Sequence, residues 1–154
     1  MRVRPQALTV CGLLVCLGTF TATAAEWKVP DEDSWASFRH TPALTGVTTA
    51  KLPEKLELLW QVELGDQIVA TAAIVGEHVY VPCLSGELVC LSKATGQRVW
   101  TYKTVEKVEP NTFAPGFKSS PTVTADAVYL GDEDGVMHAI DRRKGTKLWT
   151  FQTD

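Results

Sequence analysis

Two stretches of this chain repeat one another without a gap, 49 residues apart. Tyr80, Gly86, Gly96, Trp100 and Thr101 recur as Tyr129, Gly135, Gly145, Trp149 and Thr150. Val79/Val128 and Thr104/Thr153 also match, and conservative pairs such as Leu91/Ile140 and Tyr102/Phe151 fill the spaces between. A fixed period of this size belongs to repeat architectures, in which each unit buries its apolar face on the next.

Within each copy, short runs rich in β-branched residues alternate with Gly-containing turns. Ile68–Val75, His78–Cys83, Glu87–Leu91 and Gln97–Thr104 make the first set. Ser119–Thr124, Ala127–Gly131, Val136–Ile140 and Thr146–Thr153 make the second. Four such runs predict a small antiparallel meander. No helical apolar period longer than one turn follows residue 25. Meanders that stack face to face predict an all-β propeller of four-stranded antiparallel blades, here at about 68–104 and 119–153. Glu57–Leu64 aligns as a leading strand, with Leu59-Trp60-Gln61-Val62 matching Val99-Trp100-Thr101-Tyr102. Two blades and a strand do not close a ring, since propellers take four to eight blades. The expectation is therefore an incomplete ring, the N-terminal part of a larger assembly whose remaining blades belong to the same protein.

The segment Ala139-Ile-Asp141-Arg-Arg-Lys-Gly145-Thr-Lys-Leu-Trp149 resembles the tryptophan-docking motif Ala-x-Asp-x3-Gly-x3-Trp of PQQ-like, quinoprotein-type propeller repeats. The first copy, Cys90 to Trp100, keeps Gly96 and Trp100 but has Cys90 for Ala and Ser92 for Asp. Trp35-Ala-Ser-Phe-Arg39 and Leu58-Leu-Trp60 look like the family's entry segment. The resemblance covers about residues 35–154. It implies the propeller fold, and it spans quinoprotein dehydrogenases as well as non-enzymatic propellers such as the outer-membrane-assembly lipoprotein. For a dehydrogenase it implies PQQ, a calcium ion held by carboxylate and amide ligands, a catalytic Asp, a nearby Arg and often adjacent cysteines. Adjacent cysteines are missing here, and no residue of this chain carries over as a PQQ ligand.

The motif has a physical reading of its own. Trp60, Trp100 and Trp149 offer flat apolar rings with one N–H donor, suited to lie between blades. Gly96 and Gly145 are placed for a left-handed turn, and Asp141 can cap that turn. Gly86 and Gly135 mark the preceding hairpins. These residues are structural.

Residues 1–24 read as a secretory signal peptide: Arg2 and Arg4, an apolar run, then Ala22-Thr23-Ala24. An exported protein, periplasmic or secreted and without a membrane span, is expected. Residues 25–55, with Pro30, Pro42 and Pro53, read as an extended lead-in anchored by Trp35 and Phe38, and 56–154 as the partial propeller. Without the leader, thirteen basic and eighteen acidic residues remain, a net charge of −5. That balance has no electrostatic footprint for nucleic acid. If Cys83 pairs with Leu88, Cys90 lies opposite Val81 and the two cysteines are diagonal neighbours on one sheet face; buried free thiols are then expected, with a bridge open to them only if the register shifts.

Inter-blade loops and second-to-third-strand turns of a propeller share one face. The insertion 105–118, nine residues longer than its counterpart, breaks the repeat there. Glu106, Lys107, Glu109, Asn111, Phe113, Phe117 and Lys118, with Asp132 and Asp134, are the candidate binding face for a protein or small ligand. Asp132–Gly135 reads as a hairpin turn rather than a calcium loop. His40, His78 and His138 have no metal-ligand spacing, and nothing in the linear sequence joins a Ser or Asp to them. No catalytic residue is assigned. A non-catalytic binding platform is the first expectation, and a PQQ- and calcium-dependent alcohol or sugar dehydrogenase the alternative.

Overall fold

The computed structural model describes residues 34–153. The signal-peptide reading of 1–24 and the start of the lead-in lie outside them. The chain forms eight strands: β1 (Ala73–Val75), β2 (His78–Pro82), β3 (Glu87–Ser92), β4 (Arg98–Lys103), β5 (Thr122–Val123), β6 (Ala127–Gly131), β7 (Val136–Asp141) and β8 (Lys147–Gln152). They pair as two antiparallel meanders, β1-β2-β3-β4 and β5-β6-β7-β8. No helix occurs among the described residues, so none there is long and apolar enough to cross a membrane. The two repeats are thus two four-stranded blades, with Trp100 and Trp149 at equivalent places in β4 and β8.

The register shifts at the same point in both sheets, between Cys90 and Leu91 and between Ala139 and Ile140. Each shift places one extra residue beside the tryptophan, Val99 in β4 and Leu148 in β8. Such a bulge re-aims the side chain that follows it. Trp60 reaches the first blade, where its Nε1–H donates to the Lys93 carbonyl at 2.8 Å. Trp100 does the same to the second blade, donating to the Arg142 carbonyl at 3.0 Å. Each ring lies flat on a glycine. A Cβ on Gly96 would sit 2.7 Å from the Trp60 ring, and one on Gly145 would sit 2.6 Å from the Trp100 ring. Both glycines also have positive φ, 70° and 68°. Asp141 Oδ1 accepts from the N–H groups of Arg143 and Lys144 at 2.9 and 2.8 Å and so caps the second turn.

One face of the first blade (Val79, Val81, Cys83, Val89, Leu91) packs on Trp60, Val62 and Leu64. The segment 57–64 therefore supplies the packing of a leading strand without being laddered into either sheet. The other face (Tyr80, Leu88, Cys90, Tyr102) packs on Val123, Val128, Leu130 and Ile140 of the second blade, with Phe117 between. Residues 35–36 strap both inner strands: Trp35 exchanges two backbone hydrogen bonds with Ile74, and the Val123 N–H donates to the Ala36 carbonyl. Phe38, expected as a second anchor, is half exposed.

Two further expectations change. Cys90 pairs with Tyr80, not Val81, because Pro82 rather than Cys83 stands opposite Leu88. A shift of one residue exchanges the faces. Cys83 and Cys90 are buried free thiols, but they point to opposite sides of the first blade. Phe117 is fully buried rather than displayed on the binding face. Its N–H donates to the Cys83 carbonyl, and its neighbour Gly116 accepts from the Glu133 N–H.

Candidate functional site

The insertion divides into two parts. Residues 114–118 are built into the fold. Thr104 Oγ1 donates to the Pro115 carbonyl, and the Gly116 N–H donates to the Glu133 carboxylate. Lys118 pairs with Glu133 at 2.8 Å. That hydrogen bond, the Gly116 N–H and the lysine charge hold the exposed Glu133 carboxyl below the usual carboxylate range. Residues 106–113 are exposed, and Phe113 is 95% accessible. Backbone hydrogen bonds tie neighbouring loops and turns together here: the Leu84 N–H donates to the Gln67 carbonyl, Phe117 to Cys83, and Glu133 to Gly116.

Between the blades lies a cavity of about 630 Å³ bounded by β4, the insertion, the β6–β7 turn and β8. Of the candidate residues, Glu106, Asp132 and Asp134 line it. Lys107, Glu109, Asn111, Phe113 and Lys118 stand outside its lining, and Phe117 is in the core beside it.

At the cavity wall a polar array crosses from one blade to the other. Asp132 Oδ1 accepts from the N–H groups of Asp134 and Val136, at 3.0 and 2.9 Å. Asp132 Oδ2 and His138 Nε2 are 2.9 Å apart. A carboxylate only accepts, so Nε2 carries the proton. His138 Nδ1 is 2.9 Å from the Tyr102 hydroxyl. In the neutral imidazole that nitrogen accepts and Tyr102 donates. Phe117 meets the His138 ring edge-on, with centroids 5.4 Å apart, and fixes its plane. All three polar residues are nearly inaccessible. Burial, then the nearby Asp132 and Glu106 carboxylates, push the Tyr102 phenol above its ordinary value. The array therefore links a carboxylate, an imidazole and a phenol across the two blades, and burial keeps its tyrosine protonated instead of activating it as a nucleophile.

Sequence reading joined no Asp to His138, and it missed Tyr102. One signal was available: across the β6–β7 hairpin, Leu130 pairs with His138, which puts Asp132 diagonally beside it on the same face. Tyr102 had no local signal, because it lies on another blade.

A second missed residue is Arg142. Its fully buried guanidinium donates from Nε to the Tyr80 hydroxyl at 2.9 Å and from Nη1 to the Thr124 carbonyl at 3.2 Å. It ties the blades together beside Trp100. Burial raises Tyr80 to about 12 and Cys90 to about 12, with Arg142 partly opposing both. Among the described residues no group of three or more His, Cys, Asp or Glu side chains converges as a metal centre. This donor set does not fit calcium, which takes six to eight oxygens.

Residues 53–154 match the family described as outer membrane protein assembly factor BamB. The chain is similar to the 1-butanol dehydrogenase (cytochrome c) of Thauera butanivorans, 28% identical over 152 residues, 96% of this chain and 22% of that protein. It is also similar to the quinohemoprotein alcohol dehydrogenase ADH IIB of Pseudomonas putida, 26% identical over 107 residues, 66% of this chain and 15% of that protein. The chain thus spans 22% and 15% of the lengths of these curated relatives. The solved quinohemoprotein alcohol dehydrogenase from Comamonas testosteroni shares the fold, with a TM-score of 0.60 and 22% identity over 78% of this chain and 19% of that one.

Proposed function

The chain belongs to the family described as outer membrane protein assembly factor BamB, and from that membership we propose that it is part of an exported, non-catalytic propeller that binds a protein or small ligand on its loop face. Residues 1–24 are its leader, 25–55 its lead-in, and 56–154 the propeller portion. The observation that carries this reading is the cavity between the blades, walled by the Asp132–His138–Tyr102 array, whose buried tyrosine stays protonated. The exposed arm 106–113 beside it adds contact surface that the repeat does not need for packing.

The likeness to two alcohol dehydrogenases supports a second reading, a PQQ- and calcium-dependent dehydrogenase of alcohols or sugars. Under it, no calcium ligand is assigned among the described residues, where no three His, Cys, Asp or Glu side chains converge.

One pair of measurements separates the two. The full protein supplied with PQQ and calcium is assayed for alcohol- or sugar-dependent reduction of an artificial electron acceptor. A photo-crosslinking residue at position 113 is tested in parallel in the native cell envelope. A discrete crosslinked species without oxidation supports the platform. Substrate-dependent reduction transfers the assignment to the dehydrogenase.

A further inference from the structure

We propose that Tyr129 and Trp149 form a ready-made seat for a buried arginine on a further blade of the same repeat, carried in an Arg-x-x-Gly turn. The pairing goes beyond both functional readings and holds whether the propeller binds or oxidises.

The interface between the first and second blades shows what such a seat receives. Tyr80, Cys90 and Trp100 lie side by side across β2, β3 and β4. The Tyr80 hydroxyl accepts from Arg142 Nε at 2.9 Å, and the Trp100 ring covers Gly145 further along the same turn. Arg142 Nη1 is meanwhile held by its own blade, on the Thr124 and Ala125 carbonyls at 3.2 and 3.4 Å. A guanidinium suits such divided acceptors because it is planar, rich in donors and weakly hydrated. Seat and arginine go together. The segment 57–64 brings Trp60 to the first blade with no tyrosine-bearing strand laddered beside it among the described residues. There Lys93 stands where Arg142 does in the second repeat. Its side chain stays half exposed, 3.5 Å from Glu77.

The second blade repeats the seat. Tyr129, Ala139 and Trp149 lie in the same row across β6, β7 and β8. The Tyr129 and Trp149 rings are 5.9 Å apart at 46°, against 5.9 Å and 49° for Tyr80 and Trp100. Only the cover differs: Tyr80 is fully buried, whereas Trp149 is 47% accessible. A second copy of these two blades has no turn to offer. Its Arg142 turn is already taken by Tyr80 and Trp100, and its Lys93 turn by Trp60. The occupant is a blade beyond these two, which continues the interface that the first makes with the second.

The test puts a photo-crosslinking benzoylphenylalanine in place of Tyr129 in the full protein and locates the link by mass spectrometry. A link within one chain, to a turn with arginine three residues before glycine, is expected. A link to a turn without that arginine, a link between two copies, or no link from a folded variant would overturn the proposal. Tyr129→Phe keeps the ring and removes the acceptor, so it decides the matter if the larger side chain disturbs the fold. It should lower the melting temperature of the full protein by about as much as Tyr80→Phe does, a few degrees for the loss of one hydrogen bond to a charged group. Wild-type stability in Tyr129→Phe would equally overturn the pairing.

Discussion

At the residue scale, the tryptophan-on-glycine contact decides how one blade meets the next. Gly145 is constrained twice, by φ of 68° and by the Trp100 ring 2.6 Å from where a Cβ would stand. Gly145→Ala should therefore cost more than the 1–3 kcal/mol typical of a strained backbone position. Gly65→Ala, whose nearest neighbour would be 3.9 Å away, should be close to neutral. Urea unfolding of the two variants checks the contrast, and equal losses would refute it. Buried titratable groups give the pH profile. Burial, then Arg142, lowers His78 despite Glu77, so its contribution is present above the ordinary 6.5 and is lost as pH falls below that value. Cys90 and Tyr80 are raised to about 12 from 9.0 and 10.0, so their contributions hold below those ordinary values and fade as pH rises toward 12. Urea midpoints measured from pH 4 to 11 should show a plateau between these limbs. A midpoint still climbing above pH 10 would contradict the assignment of these thiol and phenol groups to the core.

At the element scale, the insertion behaves as two devices. Replacing 106–113 with a short Gly-Ser link should leave the melting temperature nearly unchanged, because that stretch is exposed. Extending the cut through 118 removes Phe117 from the core and strips partners from Glu133 and Thr104. Losing a buried Phe alone costs about 3–5 kcal/mol. Thermal denaturation of both variants distinguishes this from a uniformly tolerated loop. The period of the repeat exposed the insertion, but not its division. Phe113 and Phe117 look alike in sequence, and only the neighbouring blade makes one of them core.

At the scale of the whole molecule, the two blades are equivalent in structure and unequal in cover. The face of the first blade built from Tyr80, Leu88, Cys90, Trp100 and Tyr102 is buried on the second blade. Its counterpart on the second blade carries Tyr129, Met137, Ala139, Trp149 and Phe151. There Trp149 is 47% accessible, and Phe151 is more exposed still. Wherever this face is left uncovered it should drive association, since exposed apolar patches of this kind mark contact surfaces. A polypeptide of residues 26–154 should sediment as more than a monomer, and Phe151→Lys should shift it toward the monomer. A monomeric wild-type polypeptide would show that the face is tolerated by water. For the same reason Trp149→Ala should cost that polypeptide less than Trp100→Ala, whose ring is clamped on Gly145.

The period of 49 residues, the Gly and Trp positions and the alternation of short apolar runs determined the four-stranded blades and their order of stacking. Those features are local, and each repeat states them in full. The docking tryptophans and the Asp141 cap were legible for the same reason. Side-chain parity was not, because a one-residue difference in register at Pro82 and Leu88 sent Cys90 to the other face from Cys83. The Asp132–His138–Tyr102 array was half legible, since the hairpin places Asp132 beside His138. Tyr102 joined it from 36 residues away. Only packing one blade on the next could bring that hydroxyl to the imidazole, because the geometry between blades is set by the shapes of two buried faces and by no pattern within either.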